Sequence, residues 1–579
     1  MRHPLLPALL LALSLACVHA ADPDFGPNVV VFDPSTPVAD IKAKCDAIFA
    51  KQESNQFGSE RNAILFKPGT YDVQVNVGFY TQVYGLGRMP DDVSLAKLHC
   101  DAKWMNGNAT DNFWRGCENL STGKAGADTM WAVSQAVPLR RIHVIGKLTL
   151  FQPNGQPNWA SGGYMADSVI SGQVIPGSQQ QWFSRNSAWD SWSNGVWNMV
   201  FLGDTGVPEG TWPQKPYTAI EKTPVMREKP FLTVDASGAY AVCVPGERKD
   251  SVGVSWGDNP APVASIPLSQ FYIAMPDKDT AATINAALAK GLNILLTPGI
   301  YNTEETIKVT RPDTVILGIG MPTLSPQKGN SALEVADVGG VKIADVLFDA
   351  GSANSPVLLQ IGEPGSTQSH ADDPTMIYDI FCRIGGGAAL GVSAAGVIIN
   401  SNDVIGDHAW IWRADHGNEV GWNSNKSKNG LIVNGNNVTY YGLFVEHFQE
   451  FQTLWNGENG RTYFYQSELP YDPPTQDDWK RGAVNGFASY KVADNVKHHE
   501  AWGMGVYAFF TNKDVYCDNA IEVPDTSGVK VHHALIVGFK KDSGTKNVIN
   551  GVGGAVSDKK TSQQVVEYPL DPTATAAAQ

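Results

Sequence analysis

The segment "VNGNNVTYYGLFVEH" at residues 433–447 is repeated 22 residues later as "WNGENGRTYFYQSEL" at 455–469. An earlier copy, "INSNDVIGDHAW" at 399–410, aligns with 433–444 at an offset of 34, as if its coil carried an insertion. Coils near 22 residues with asparagine at a fixed corner indicate a right-handed parallel β-helix, in which like side chains stack and turn asparagines form ladders. The matched positions are Asn434 with Asn456, Gly435 with Gly457, Asn437 with Asn459, Tyr441 with Tyr463, and Glu446 with Glu468.

The plan of the whole chain is also duplicated. Residues 64–90 and 294–322 share an apolar strand, a Pro-Gly-x-Tyr turn, a second strand and a Gly-x-Gly turn. Each of these segments follows a stretch, 38–51 or 280–291, in which apolar residues recur at helical spacing. A short helix there would cap the open end of a stack of strands. We therefore predict an all-β protein of two tandem right-handed parallel β-helices, pectate-lyase-like solenoids with short N-terminal capping helices. A sandwich, barrel or propeller is the alternative from strand alternation alone.

The predicted boundaries follow from composition. A basic start, a short apolar run and small residues at 1–20 indicate a secretory signal peptide, so we expect a secreted, extracellular protein without a membrane span. The N-terminal β-helix is predicted at 21–250 and the C-terminal one at 268–565. The segment between them, 251–267, is predicted as a linker because it is rich in Gly, Pro and Ser. Residues 566–579 are predicted as a disordered tail.

Charge and composition narrow the choice of partner. The net charge is −15 and only 17% of residues are charged, which argues against nucleic acid, anionic membranes and polyanionic glycans. The 16 tryptophans and 18 tyrosines suit aromatic faces that stack on neutral sugar rings. We expect a monomer acting on a neutral polysaccharide. The mature chain has six cysteines, an even number that permits disulfides, and a local Cys100–Cys117 bridge is the first candidate.

Glu446 and Glu468 interrupt apolar and aromatic runs, and a one-coil offset puts them on successive rungs. Neighbouring strands lie about 4.7–4.9 Å apart, so the two carboxylates would emerge side by side. Burial and the like charge would raise one pKa and leave an acid beside a carboxylate, the pair that glycosidic cleavage needs. Rung spacing does not choose between a retaining and an inverting geometry. The alternative is that both glutamates lie on a solvated face.

Further candidates surround this pair. Asp415-His416 lies one coil earlier and is either a polar position in a cleft or a strand-ending turn. Adjacent histidines at 498–499 and 532–533 suggest a metal site, but neighbours on a strand point to opposite faces, so we predict no metal and no cofactor. The aromatic residues predicted to contact substrate are Trp412, Trp422, Trp455, Tyr463, Tyr465 and Tyr471.

The segments "WIWRADH" (410–416), "NGLIVNG" (429–435), "GLFVEH" (442–447) and "YFYQSELPYDPP" (463–474), with both caps, resemble glycoside hydrolase family 55. That family comprises exo-acting β-1,3-glucanases built from two tandem parallel β-helices. The resemblance implies an inverting mechanism, with Glu468 as general acid and Glu446 as the carboxylate that helps hold the attacking water. It also implies a glutamine from "SQQQ" (178–181), assigned to Gln180. The segments "GNEVGW" (417–422) and "QSELP" (466–470) depart from the usual pattern of the family, and both flank the predicted cleft.

Two rival functions remain on sequence grounds. A β-helical polysaccharide lyase or galacturonase would need basic residues or calcium-binding carboxylates for an anionic substrate, and this acidic, lysine-poor region lacks them. A non-catalytic glycan-binding or adhesive β-helix would bind without turnover, and Glu446 and Glu468 would then be dispensable.

Overall fold

The computed structural model describes residues 22–257, 260–387, 390–540, 542–556 and 560–570. The predicted signal peptide, 1–20, lies outside the described residues, as does 571–579 of the predicted tail. The described chain is mostly β-strand, in agreement with the prediction. The two predicted caps are helices α1 (Val38–Gln52) and α2 (Ala281–Ala289). Three short 3-10 helices lie at Pro90–Asp92, Lys103–Met105 and Leu268–Gln270.

Strands β1 to β13 of the N-terminal half form one sheet of 13 strands, and every pair within it is parallel. Strands β14 to β18 follow in two small antiparallel sheets. The strands are β1 (Val29–Phe32), β2 (Asn62–Phe66), β3 (Gly69–Asn76), β4 (Thr81–Gly85), β5 (Val93–His99), β6 (Arg115–Met130), β7 (Pro138–Thr149), β8 (Tyr164–Ala166), β9 (Val169–Ile175), β10 (Gln181–Arg185), β11 (Ala188–Trp192), β12 (Asn198–Leu202), β13 (Tyr217–Ile220), β14 (Thr223–Arg227), β15 (Phe231–Val234), β16 (Tyr240–Pro245), β17 (Glu247–Ser251) and β18 (Val263–Pro267).

The C-terminal half winds between a 13-stranded and an 8-stranded sheet, and most circuits add one strand to each. Its strands are β19 (Phe271–Ala274), β20 (Asn293–Leu296), β21 (Ile300–Thr303), β22 (Ile307–Val309), β23 (Val315–Gly318), β24 (Thr323–Pro326), β25 (Leu333–Val335), β26 (Lys342–Asp349), β27 (Leu359–Ile361), β28 (Met376–Ile384), β29 (Ala395–Ile399), β30 (Ile405–Arg413), β31 (Asn429–Val433), β32 (Thr439–Glu446), β33 (Thr453–Trp455), β34 (Gly460–Glu468), β35 (Lys480–Arg481), β36 (Val484–Asn485), β37 (Tyr490–Val492), β38 (His499–Ala508), β39 (Tyr516–Cys517), β40 (Ile521–Glu522), β41 (Val529–Gly538), β42 (Gly544–Thr545) and β43 (Ser562–Tyr568).

The predicted register is confirmed at its centre. Strands β32 and β34 pair in parallel with Thr439 opposite Arg461 and Glu446 opposite Glu468, the offset of 22 read from the sequence. The earlier offset of 34 is also present, because β30 pairs with β32 from Ile405 opposite Thr439 onward. The turn repeat therefore stacks the strands in the expected order.

Asparagine ladders maintain this register. Asn456 Nδ2 donates to Asn434 Oδ1 at 2.8 Å, and Asn434 Nδ2 donates to Asn400 Oδ1 at the same distance. A second ladder passes from Asn459 to Asn437 at 3.1 Å and ends on Asp403. The middle residue of each ladder, Asn434 or Asn437, uses both its donor and its acceptor, so slipping by one residue would break the column.

A column of left-handed residues faces the N-terminal half along β26, β28, β30, β32, β34, β38 and β41. Their φ values lie between 49° and 71°, which is strained for residues other than glycine. At Gly442 a Cβ would lie 2.9 Å from Tyr164, so the close approach of the halves requires glycine there. The column is Asp345, Asp379, His408, Gly442, Phe464, Gly503 and His533, at matching register positions.

Buried ion pairs join the halves across this column. Arg140 contacts Asp379 through two hydrogen bonds, of 2.7 and 2.9 Å, and contacts Asp407 at 2.7 Å. Arg185 bridges Asp407 and Glu228. Because breaking a buried pair leaves an uncompensated charge, the network opposes separation of the two halves.

Three predictions are wrong, in whole or in part: the linker, the disordered tail and the disulfide bond. Part of the predicted linker 251–267 is β18, which pairs with β16 because its edge supplies backbone partners. Part of the predicted tail is β43, which pairs with β41 and buries Tyr568. Cys100 and Cys117 are both free; the Cys100 thiol lies beside Arg115 Nη1 at 3.5 Å instead. All six described cysteines are buried as free thiols.

Candidate active site

A pocket of about 460 Å³ opens between the two halves of the chain. Both halves contribute polar and aromatic side chains, so neither forms the site alone. The N-terminal half supplies Asn108, Thr110, Asp111, Phe113, Gln135, Trp159, Ser161, Gln180, Gln181 and Trp197. The C-terminal half supplies Trp410, Trp412, Asp415, His416, Glu446, His447, Glu468, Tyr471, Tyr507, Phe509 and Phe539.

Glu446 ends β32 and is buried at the base of the pocket. Its Oε2 accepts a hydrogen bond from Trp410 Nε1 at 2.8 Å, and its Oε1 accepts one from Gln135 Nε2 at 2.9 Å. Burial raises the pKa of Glu446, while these N–H donors favour the ionised form and oppose that rise. With both oxygens held by donors, Glu446 is arranged as an oriented carboxylate.

Glu468 ends β34 directly beside Glu446 and faces the pocket. The Tyr471 hydroxyl donates to Oε2, and Gln466 Nε2 lies 3.5 Å from Oε1. Burial and then the charge of Glu446 raise the pKa of Glu468 well above its usual range. Because Glu446 has more N–H donors than Glu468, the surroundings favour the negative charge on Glu446 and a proton on Glu468.

Asp415 and His416 form a polar wall next to the glutamates. Asp415 Oδ1 lies 2.9 Å from His416 Nδ1 and 3.7 Å from His447 Nε2. Burial opposes ionisation of Asp415, but His447 and His416 outweigh it and lower its pKa to about 2. Asp415 raises the pKa of His416 in turn, although burial alone would lower it. Both ring nitrogens of His416 are engaged, Nδ1 with Asp415 and Nε2 with Gln56, so the imidazole is held in place at the wall of the pocket.

Aromatic rings line much of the rest of the pocket. Trp412 stacks on Trp410 with ring centroids 4.9 Å apart, and it also stacks on Phe57 with ring centroids 6.4 Å apart. Trp159 and Phe539, from opposite halves, line the pocket while 54% and 48% exposed. Exposed rings beside a polar floor are well placed to stack against a sugar.

The structure brings seven predicted residues to this pocket: Glu446, Glu468, Gln180, Asp415, His416, Trp412 and Tyr471. Four others are corrected to packing positions outside it. Trp455 lies on the opposite sheet, and both Trp455 and Tyr465 are fully buried in the C-terminal core. Tyr463 stacks between Tyr441 and Trp502. Trp422 packs against the same core. Being near the glutamates in sequence does not place a side chain on their face of the coil, which explains these errors.

Sequence reasoning missed Gln135, Trp410 and Asp111. Gln135 lies between β6 and β7 and touches Glu446 from the other half, a contact between residues 311 apart in the chain. Trp410 was visible in "WIWR", where alternation puts it on the same strand face as Trp412. Burial raises the pKa of Asp111, which lines the pocket near Asp415. No local pattern marks Gln135 or Asp111.

No helix among the described residues is both long enough and apolar enough to cross a membrane. The family model of the LAM55 pectate lyase-like domain matches residues 271–468. An exo-beta-1,3-glucanase of Streptomyces sp. (strain SirexAA-E / ActE) is 49% identical over 550 residues, which cover 94% of this chain and 90% of that protein.

Two solved structures are similar over nearly the whole chain. The structure of sacteLam55A from Streptomyces sp. SirexAA-E has a TM-score of 0.92 at 48% identity, covering 95% of this chain and 99% of that one. A variant of sacteLam55A in complex with glucose matches with the same TM-score and identity, covering 95% and 100%. This extent of identity and superposition shows the family. The chain belongs to glycoside hydrolase family 55.

Proposed function

We propose that this protein is an exo-acting β-1,3-glucanase that releases glucose from the end of a neutral β-glucan. The observation that carries the proposal is the pairing of Glu446 and Glu468 on adjacent strands in a pocket lined with aromatic rings. The relatives named above as an exo-beta-1,3-glucanase and a glucose complex support the substrate and product.

The proposed mechanism is inverting. Glu468 gives its proton to the glycosidic oxygen as the bond from that oxygen to the anomeric carbon breaks. A water held by Glu446 and a nearby glutamine, Gln180 or Gln135, attacks the anomeric carbon from the opposite face and loses its proton towards Glu446. Because both oxygens of Glu446 accept N–H bonds, we assign it to orienting water rather than to forming a covalent bond with the sugar.

The charge of the pocket argues for a neutral substrate. Asp111, Asp415, Glu446 and Glu468 all line it, and His416 is the lining side chain whose pKa is raised towards a positive charge. A uronate would meet repulsion there, which disfavours a polysaccharide lyase or galacturonase. The carboxylate of Asp415, oriented by His416, suits a sugar hydroxyl group as an acceptor.

We further propose that the two stacks of strands are right-handed β-helices in tandem, and that the protein is secreted and acts as a monomer. The alternation of the C-terminal chain between two parallel sheets supports the first point. The apolar leader at 1–20 supports secretion.

A panel of glucans tests the proposal, with sugar release measured and the product anomer read by NMR. We expect release from laminarin, none from pectate, and an α-anomer product that reports inversion. Glu468→Gln should abolish hydrolysis of laminarin while leaving the fold intact. Retained hydrolysis by a folded Glu468→Gln variant would remove the acid assignment, and glucan binding without turnover by the wild type would favour the non-catalytic alternative.

A further inference from the structure

The segment between α1 and β2, residues 53–61, belongs to the N-terminal half but reaches the wall of the pocket in the C-terminal half. Gln56 Nε2 lies 2.6 Å from His416 Nε2, a contact between residues 360 apart in the chain. An imidazole nitrogen can either donate or accept, so the ring can pair with either orientation of the amide. The other ring nitrogen, Nδ1, lies 2.9 Å from Asp415 Oδ1. His416 is therefore held between Gln56 and Asp415.

The next residue, Phe57, packs against the aromatic wall of the same pocket. Its ring stacks on Trp412 with centroids 6.4 Å apart and meets the His416 ring edge-on at 5.5 Å. A Cβ on Gly417 would lie 2.8 Å from the Phe57 ring, and one on Gly386 would lie 3.2 Å from it. Gly417 begins the segment that departs from the family pattern, and it makes room for Phe57.

Buried groups of both halves fix the backbone of this segment. The Tyr80 hydroxyl donates to the carbonyl oxygen of Gln56 at 2.7 Å, and Arg383 Nη1 donates to the Tyr80 hydroxyl at 2.7 Å. Arg383 also makes two hydrogen bonds to Asp349, of 2.9 and 2.6 Å. The guanidinium of Arg61 lies 3.7 Å from the centre of the Tyr80 ring. The amide of Gln56 thus extends from an anchored backbone.

We propose that Gln56 and Phe57 are positioning residues for the substrate. Gln56 acts through His416 on the carboxylate of Asp415, and Phe57 acts through the ring of Trp412. Neither Gln56 nor Phe57 lines the pocket itself, whereas the three residues that they contact do. A carboxylate of fixed direction and a ring of fixed plane bind a sugar with less loss of side-chain freedom. The inference rests on the proposed function, because it requires a glucan in this pocket.

Binding of laminaritriose, measured by calorimetry in a Glu468→Gln background, tests the inference without turnover. Gln56→Leu should raise the Kd about 10-fold, because the polar contact at Asp415 loses its support. In the active enzyme the same substitution should raise KM and change kcat by less than about threefold, the pattern of lost uniform binding. A role in packing alone would lower the unfolding temperature and leave both Kd and KM unchanged.

Double variants test whether the two residues act through their contacts. Gln56→Leu should have no further effect on the Kd once His416→Ala is present, and Phe57→Leu should have none once Trp412→Ala is present. Gln56→Asn keeps the amide but shortens its reach, so it should weaken binding as Gln56→Leu does. Gln56→Asn carries the test if Gln56→Leu fails to fold.

Gln327→Leu and Phe451→Leu are the matched controls. Gln327 is half-buried like Gln56, but its amide bonds to groups outside the pocket. Phe451 is half-buried like Phe57 and packs edge-on against Phe487, also outside the pocket. Both controls should leave the Kd for laminaritriose unchanged.

An unchanged Kd in Gln56→Leu and Phe57→Leu would overturn the inference, and so would effects that simply add in the double variants. Binding of laminaritriose by the wild type without hydrolysis would refute the proposed function alone, because the Kd values of the variants would still decide the roles of Gln56 and Phe57. A wild type that binds no laminaritriose would refute both.

Discussion

Replacing Arg140 with methionine should weaken the attachment between the two halves of the protein. Arg140 is buried and makes two hydrogen bonds to the carboxylate of Asp379, one of 2.7 Å to the carboxylate of Asp407 and one of 3.0 Å to the Asp407 carbonyl oxygen. Asp407 keeps Arg185 in the variant, whereas the side-chain partner that Asp379 keeps among the described residues is His408. The loss is therefore close to that of one broken buried pair, about 3–5 kcal/mol.

The pH dependence of this loss gives a sharper test. Burial would raise the pKa of Asp379, but Arg140 outweighs it and holds that pKa well below its usual range. The ion pair thus contributes stability above the unfolded pKa of about 3.9, and this contribution is lost as the pH falls. Without Arg140, burial raises the pKa of Asp379 in the folded protein above its pKa in the unfolded chain. The loss of stability caused by the substitution is therefore largest at high pH. The stability gap between wild type and variant should narrow from pH 7 towards pH 5.

The assay is urea unfolding followed by tryptophan fluorescence at both pH values, with Arg461→Met as control. Arg461 is exposed on β34, and its replacement should change stability by no more than about 0.5 kcal/mol. A loss under about 1 kcal/mol for Arg140→Met, or a gap independent of pH, would contradict the idea that this ion pair holds the halves together.

Four further outcomes are expected. The wild-type pH–rate profile should be bell-shaped, with both limbs above the pKa of an ordinary glutamate, because burial raises the pKa of Glu446 and Glu468 alike; a limb at the ordinary value contradicts this. Gln135→Leu should lower kcat/KM about 10- to 100-fold by removing a hydrogen bond to a charged group, with unfolding little changed. Trp455→Ala should cost about 3–5 kcal/mol of stability, measured by urea unfolding, while the surviving folded enzyme keeps its KM. Asn456→Ala should cost about 1 kcal/mol by the same assay, since it removes one exposed rung of the ladder, and a neutral result would show that the ladder does not stabilise the fold.

The repeat of the C-terminal half is visible in the sequence because equivalent positions of successive coils contact one another. Asn434 and Asn456 form a hydrogen bond with one another, so asparagine recurs at an offset of 22 residues. The same offset places Glu446 opposite Glu468. The caps were predictable for a similar reason, since α1 and α2 each carry helical apolar spacing.

The face of a coil on which a side chain lies was harder to predict than the position of its residue along the coil. Tyr463 and Tyr465 lie on the same strand as Glu468, yet one joins an aromatic stack and the other enters the core. The left-handed residue between them, Phe464, bends the strand so that simple alternation does not persist. Trp455 stands on a different sheet, and its proximity in sequence carried no information about the pocket.

The sequence by itself determined the β-rich duplicated plan, the register of the central coils and the pair Glu446 and Glu468, because all three depend on contacts between residues one coil apart. Only the tertiary structure decided what lies opposite the pair. Gln135 reaches Glu446 because Arg140 and its buried partners dock the N-terminal half against the left-handed column. That docking depends on shape and charge summed over many distant residues, and no periodic pattern in a single chain records it.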